Sequence, residues 1–220
     1  MKVLRLFSSA VFLLLTFSAF SQNAQVFDLK SLAKNGGLRV YNRQISIIDE
    51  SSYPGIHLSK DFGEGIAWLK GIDLSNGIIE FDVRGENVKQ HSFVGLAFHG
   101  VNDSTFDAIY LRPFQFNEED EASRKKALQY ISLPKFTWQV LREKFPGKYE
   151  NSIEPTPNPD AWIRVKIVII NNMVATYING SNEPSLVAEK TTPVRSGAVG
   201  FYVADTSGGD FANISITKTD

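Results

Sequence analysis

One alternating segment of the chain carries two carboxylates and an arginine that could act on a glycosidic bond. Glu80 and Asp82 are separated by one residue, and Arg84 follows at the same spacing. In an extended strand all three side chains point to one face, so the carboxylates are candidates for the pair that cleavage of such a bond requires. Arg84 beside them favours an ion pair over a proton donor with a raised carboxyl pKa. The alternatives are a catalytic pair, hydrogen-bonding groups for a sugar, or a polar ladder on an exposed sheet face.

A second candidate site consists of large polar residues that alternate with small ones. His99 shares a predicted strand face with Gly95 and Ala97, and Tyr110 and Arg112 occupy alternate positions of the next strand. If these strands pair in sequence order with the acidic strand, we expect the polar groups to surround a floor of small residues. Planar donors and acceptors with an aromatic ring for stacking suit a sugar ligand.

The segment 113–161 decides whether that surface is open, because it has little strand character and is long for a connection inside a compact domain. Tyr130 and Trp138 within it are further candidates for ligand contact, and Trp138 or Tyr149 is a candidate for a lid or a stacking wall. In the alternative, the segment folds back and fills the space above the small residues. Its charge pattern predicts a short helix near 118–126, and Thr137 is placed to cap a second helix, 138–144.

Metal chemistry has weaker support in the sequence. His91 and His99 lack a third ligand at a recognisable spacing, which argues against a catalytic metal site. Asp205 and Asp210 flank a Ser-Gly-Gly turn, and such oxygen-rich loops are candidates for calcium. A glycine-rich turn without a metal is the alternative.

The composition excludes several classes of function. The chain of 220 residues has no cysteine, so disulfides, cysteine-ligated metals and a thiol nucleophile are all excluded. Lysine and arginine number 23 against 24 acidic residues, and this near balance argues against nucleic acid as a partner. The first 21 residues have a basic start, an apolar run too short to span a bilayer, and a small-residue cleavage motif. They predict a signal peptide and a secreted or periplasmic protein without a membrane span in the mature chain.

Strand patterns dominate the remainder, 22–220, which we expect to form one domain. Ile79, Phe81 and Val83 alternate with charged residues, and comparable patterns recur to the end of the chain with turn signals such as Asn179-Gly180 between them. No alternation of strands and helices is visible. Many antiparallel strands with one apolar face each predict an all-β, two-sheet sandwich with a long, partly helical insertion at 113–161.

Several segments together resemble the concanavalin A-like lectin/glucanase superfamily. They are the run 77–99, the strand 107–114, the strand beginning Trp162-Ile163-Arg164, and the closing pair 197–201 and 211–214. Within the superfamily they are similar to the laminin G-like and 3-keto-disaccharide hydrolase branches, and the insertion resembles a subgroup of secreted bacterial proteins. The resemblance implies a jelly roll whose concave face often meets carbohydrate.

Three functions remain open at this point. The first is non-catalytic glycan binding through His99, Tyr110, Arg112, Tyr130 and Trp138. The second is a hydrolase or lyase acting on a glycoside or a 3-keto sugar. The third is a structural adhesion module, since one fold hosts many functions. An open cleft above Tyr110 and Arg112 favours the first two functions, and a filled cleft favours the third.

Overall fold

The structure is a computed structural model that describes residues 23–219 and consists mainly of antiparallel strands. Three short helices accompany them, α1 (Leu29–Lys34), α2 (Glu121–Arg124) and α3 (Trp138–Lys144), with a 3₁₀ turn at Pro113–Gln115. The strands are β1 (Gln25–Val26), β2 (Leu38–Tyr41), β3 (Ile45–Asp49), β4 (Pro54–Leu58), β5 (Gly65–Leu69), β6 (Asn76–Arg84), β7 (Val94–Asn102), β8 (Thr105–Leu111), β9 (Leu128–Leu133), β10 (Glu150–Asn151), β11 (Ile163–Ile170), β12 (Met173–Ile178), β13 (Leu186–Glu189), β14 (Ala198–Val203) and β15 (Gly209–Thr219).

The strands form two sheets that pack face to face. The first sheet has the order β13-β12-β11-β6-β15-β4-β3, with β1 paired to β15, and the second has the order β10-β9-β8-β7-β14-β5-β2. Phe81 from the first sheet meets Phe201 from the second, with ring centroids 6.2 Å apart, and the Phe211 ring packs against Phe201 in a tilted arrangement at 4.7 Å. The predicted all-β jelly-roll sandwich is therefore confirmed, because the apolar face of each strand is buried against the opposite sheet.

The expected order of three strands is wrong. The strand containing Glu80 and Asp82 pairs with β11 and β15 in the first sheet, whereas β7 and β8 pair with each other in the second. The chain crosses between the sheets after Arg84. Alternation in a sequence shows which face of a strand is apolar but does not identify its neighbour, and this is why the polar faces were placed together.

The insertion 113–161 is partly as predicted. Asp120 caps α2, and Thr137 caps α3 by accepting a hydrogen bond from the Val140 amide at 3.4 Å, so both predicted helices are confirmed. The expectation of little strand character is wrong, because β9 pairs with β8 along its whole length and extends the second sheet. Leu128, Tyr130 and other members of β9 are buried, so the segment belongs to the sandwich.

The predicted signal peptide, 1–21, lies outside the described residues. Within 23–219 no helix has the length and apolar character needed to cross a membrane.

Candidate functional site

The outer face of the second sheet carries two adjacent tyrosines. Tyr110 and Tyr202 both pair with Gly95 on the strand between them, and their ring centroids are 5.8 Å apart. A Cβ at Gly95 would lie 2.0 Å from the carbonyl oxygen of Ile109, so the close approach of the strands requires glycine here. Burial raises the pKa of Tyr110 to about 12 and raises that of Tyr202 as well. Both phenols therefore stay protonated at neutral pH.

A cavity of about 730 Å³ lies over this tyrosine pair. The strand register aligns Leu128, Leu111, Val94, Val203 and Gly65 at one end of the sheet, and the loops that follow or precede them surround the cavity. Its lining residues come from the sheet, from the insertion and from three loops: Gly63, Glu64, Gln90, Phe93, Tyr110, Arg112, Phe114, Gln115, Lys126, Ile131, Leu133, Thr137, Trp138, Gln139, Arg142, Tyr202, Ala204 and Asp205. The insertion therefore forms a wall of the cavity without filling it, and Tyr110 and Tyr202 lie beneath the cavity with only 2% and 1% exposure.

Helix α3 supplies the aromatic part of that wall. Leu141 is fully buried under the helix, and Arg142 forms a two-point ion pair with Glu150 at 2.5 and 2.9 Å. These contacts hold the helix while Trp138 stays 38% exposed at the cavity. The Arg142 guanidinium also lies 4.7 Å from the centre of the Trp138 ring. The indole is thus positioned by its neighbours and accessible to a ligand.

Arg112 lies beneath the cavity and is only 4% exposed. Its guanidinium donates to the Lys126 carbonyl oxygen at 2.6 Å, to the Tyr110 hydroxyl at 2.8 Å and to Gln129 Oε1 at 3.2 Å. The rings of Tyr110 and Trp138 lie 4.9 and 6.0 Å from the guanidinium carbon. The structure therefore brings three of the sequence-predicted residues, Tyr110, Arg112 and Trp138, to one cavity.

The other side of the cavity has a carboxyl group that sequence reasoning missed. Glu64 accepts a hydrogen bond from the Tyr202 hydroxyl. The pKa of Glu64 is raised, mainly because the side chain is buried, and the charge of Asp205 adds to the rise. The hydrogen bond from Tyr202 and the charge of Arg43 oppose the rise but do not cancel it. The available signal was its position between Gly63 and Gly65, immediately before a buried strand, where a loop can bring a charged side chain against the sheet.

His99 and Tyr130 do not join this cavity, so the expectation that they share a surface with Tyr110 and Arg112 is wrong. A β-bulge follows Phe98, and His99 has a φ of +51°, which ends the strand alternation. His99 is 1% exposed and contacts the Ser75 carbonyl oxygen through Nε2 at 2.8 Å. Tyr130 is fully buried and donates to Asp107 Oδ1 at 3.1 Å, on the side of β8 that faces the core.

The carboxylates first considered for catalysis lie on the outer face of the first sheet. Arg164 on the neighbouring strand approaches Asp82 at 3.5 Å and Glu80 at 3.9 Å, and Asn213 donates to Asp82 at 2.7 Å. Arg84 instead pairs with Asp210 and Glu50, at 2.7 and 2.8 Å. The arrangement is a polar ladder of ion pairs on the first sheet, whereas the cavity lies on the second sheet.

The two aspartates proposed for calcium have different surroundings. Asp210 accepts from Arg84 through Oδ2 and contacts His57 Nδ1 through Oδ1 at 2.6 Å. Asp205 lines the cavity, and its carbonyl oxygen accepts from Arg43 at 2.8 Å. Among residues 23–219 no group of three or more histidine, aspartate or glutamate side chains is placed to hold a metal ion. Calcium binding stays a prediction.

Comparison with protein families and with curated proteins gives no match to this chain. Comparison with solved structures gives many matches. The carbohydrate-binding module CBM66 from Bacillus subtilis matches with a TM-score of 0.59 at 12% identity, over 83% of this chain and 96% of that chain. A provisionally assigned glycosyl hydrolase from Parabacteroides distasonis matches with a TM-score of 0.58 at 12% identity, over 90% and 100% of the two chains.

The exoplasmic/lumenal domain of VIP36, in its Ca²⁺/Man2-bound form, matches with a TM-score of 0.56 at 12% identity, over 90% of this chain and 88% of that one. At these identities the similarity concerns the fold, and assignment to the laminin G-like or the 3-keto-disaccharide hydrolase branch stays a prediction. The order of strands and the matched structures agree with the resemblance in the sequence: this chain has the fold of the concanavalin A-like lectin/glucanase superfamily.

Proposed function

We propose that this protein binds carbohydrate in the cavity above Tyr110 and Tyr202. The observation that carries the proposal is an open cavity whose wall presents an exposed indole, Trp138, beside hydrogen-bonding side chains. Its volume of about 730 Å³ falls within the range of small-molecule sites, on the order of 300–1,000 Å³. An occupied cavity would instead have favoured a structural module.

The chemistry of the lining suits a sugar ring. Sugars present an apolar C–H face and an edge of hydroxyl groups, so they need an aromatic surface together with donors and acceptors. Trp138 and Phe93 supply the aromatic surfaces, and Gln90, Gln139 and Glu64 supply polar groups at the same cavity. The solved structures with the same fold include a carbohydrate-binding module and the VIP36 domain in its Ca²⁺/Man2-bound form, which supports this choice of ligand.

A glycan array with the purified protein tests the proposal, using Trp138→Ala as the variant and Phe145→Ala as the matched control. The two aromatic residues lie at opposite ends of α3 and are 38% and 39% exposed, but only Trp138 lines the cavity. We expect Trp138→Ala to weaken binding at least tenfold, about 1.4 kcal/mol, and Phe145→Ala to leave it unchanged. Equal losses, or no binding to any glycan, would contradict the proposal. Repeating the array after chelation tests the calcium prediction.

A carbohydrate-processing enzyme is the second candidate, and Glu64 is the observation that favours it. A carboxyl group with a raised pKa beside a second acid, Asp205, is the arrangement that general acid catalysis uses. We expect Glu64→Gln to abolish any turnover of a bound oligosaccharide while binding persists. Detection of products by mass spectrometry checks this. An unchanged glycan after long incubation with the wild type would refute the enzyme candidate and leave carbohydrate binding as the only proposed function.

Export to the periplasm or the medium would bring the cavity to extracellular glycans. N-terminal sequencing of the exported protein tests the predicted removal of the signal peptide, and Gln22 is the expected first residue.

A further inference from the structure

The cavity has a basic side and an acidic side. Arg112 and Lys126 belong to the connection between β8 and β9, and Arg142 lies on the helix packed over β9. Glu64 precedes β5, and Asp205 follows β14. Because the sheet order is β9-β8-β7-β14-β5, the basic residues and the acidic residues lie on opposite sides of β7. A ligand in the cavity therefore meets positive charge at one end and carboxyl groups at the other.

The positive charges on the basic side differ in how they are compensated. Arg142 is neutralised by Glu150, which it contacts through two nitrogens. Arg112 has no carboxylate within 4.0 Å in the part of the chain that the structure describes, although it is 4% exposed. Its hydrogen-bond acceptors are a carbonyl, a phenol and an amide, all of them uncharged. The ammonium group of Lys126 has no carboxylate within 4.0 Å among the described residues, and its charge is among the causes that lower the pKa of Asp120.

A buried cation without an anionic partner is costly, because desolvation of the charge is not repaid by neutral acceptors. The aromatic rings around Arg112 offset part of that cost through cation–π contacts at 4.9 to 6.0 Å, but they carry no net charge. A bound anion would complete the compensation. Arg112 also keeps its Nε–H without an acceptor among residues 23–219, so the guanidinium retains a donor for such a group.

We propose that the cavity takes an acidic carbohydrate, with a carboxylate or sulfate group of the sugar held near Arg112 and Lys126. This inference rests on the proposed carbohydrate site and specifies its ligand. The acidic group would lie at the basic side, and neutral hydroxyl groups would face Glu64 and Asp205, where a second anion is repelled. Neutral sugars lack the group that compensates Arg112.

The test uses glycans that differ only in charge. Uronate-containing oligosaccharides are measured by calorimetry beside their carboxyl-reduced forms, and sulfated oligosaccharides beside their desulfated forms. We expect at least tenfold tighter binding of the charged member of one pair, with affinity falling as salt rises. The pair that responds identifies the anion. Equal or tighter binding of the neutral members overturns the inference and leaves the proposed function intact, whereas binding of no carbohydrate refutes both.

Two adjacent lysines provide matched variants. Lys126 lines the cavity, whereas Lys125 is exposed and pairs with Glu121 at 2.7 Å. We expect Lys126→Gln to weaken binding of the charged glycan about tenfold, and Lys125→Gln to leave that binding unchanged. The lysine variant avoids the structural role of Arg112, which holds the connection to β9 in place. Wild-type affinity of Lys126→Gln for the charged glycan would overturn the inference.

Discussion

Replacement of Lys190 by methionine should cost a large part of the stability of the sandwich. Lys190 and Asp107 have fully buried side chains, and Lys190 Nζ lies 3.3 Å from Asp107 Oδ2. The same ammonium contacts His99 Nδ1 and the Val194 carbonyl oxygen. Burial lowers the pKa of Lys190, and the charge of Asp107 opposes that shift. The lysine is thus the main positive partner of a carboxylate that has no access to water.

The magnitude follows from what Lys190→Met leaves behind. Asp107 keeps a hydrogen bond from Tyr130 at 3.1 Å and a distant contact with His99 at 3.7 Å, but its charge is no longer balanced. Breaking one partner of a buried pair costs about 3–5 kcal/mol. With a urea dependence of about 2 kcal/mol/M, the unfolding midpoint should fall by about 2 M. Urea titration followed by tryptophan fluorescence measures this shift.

Two controls separate the buried charge from the loss of a lysine. Lys125→Met removes a surface ion pair whose side chains are 59% and 70% exposed, and it should change the free energy of unfolding by less than about 1 kcal/mol. Adding Asp107→Asn to Lys190→Met removes the stranded charge and should recover part of the lost stability. A cost below about 1 kcal/mol for Lys190→Met, or no recovery in the double variant, would refute this account.

Three further predictions concern the cavity wall and the pH dependence. Thr137→Ala removes the cap of α3 and should cost about 1 kcal/mol, a fall in Tm of about 2–4 °C by calorimetry; no change would show that the cap does not anchor the wall. Burial opposes ionisation of Asp210, but its hydrogen bonds with His57 and Arg84 prevail and lower its pKa. The contribution of Asp210 to stability is therefore present above its unfolded-state pKa and is lost as the pH falls through its folded-state pKa. In urea titrations between pH 2 and 6, Asp210→Asn should lose less unfolding free energy on acidification than the wild type does. Burial raises the pKa of Glu64, so the wild type should lose stability relative to Glu64→Gln as pH rises from about 4 through the folded pKa, and parallel curves would contradict this.

The helices of the insertion show how far local sequence reaches. Thr137 before 138–144, with Pro146-Gly147 after it, carries the start and the stop of α3, and both are local signals. The strand β9 gave no comparable signal, because Leu128–Leu133 is buried on both faces and does not alternate. Its identity as a strand depends on pairing with β8.

The candidate site was predictable only where local sequence carried the signal. Tyr110 and Arg112 were identified from their types and from the small residues beside them, and Trp138 as an aromatic residue of the insertion. The three meet at the cavity. Glu64 was missed because its importance depends on Tyr202, which is 138 residues away. His99 was misplaced because a bulge reverses its side, and bulges leave no reliable pattern in the sequence.

The sequence alone determined the class of fold and the capped helix of the insertion, since alternation and end signals arise from interactions between near neighbours. The tertiary structure decided which sheet each strand joins, which side of β7 the basic and acidic groups occupy, and that a cavity remains between Trp138 and the tyrosine pair. Those outcomes depend on contacts between residues far apart in the chain, where several pairings bury the same apolar faces and only the complete packing selects one.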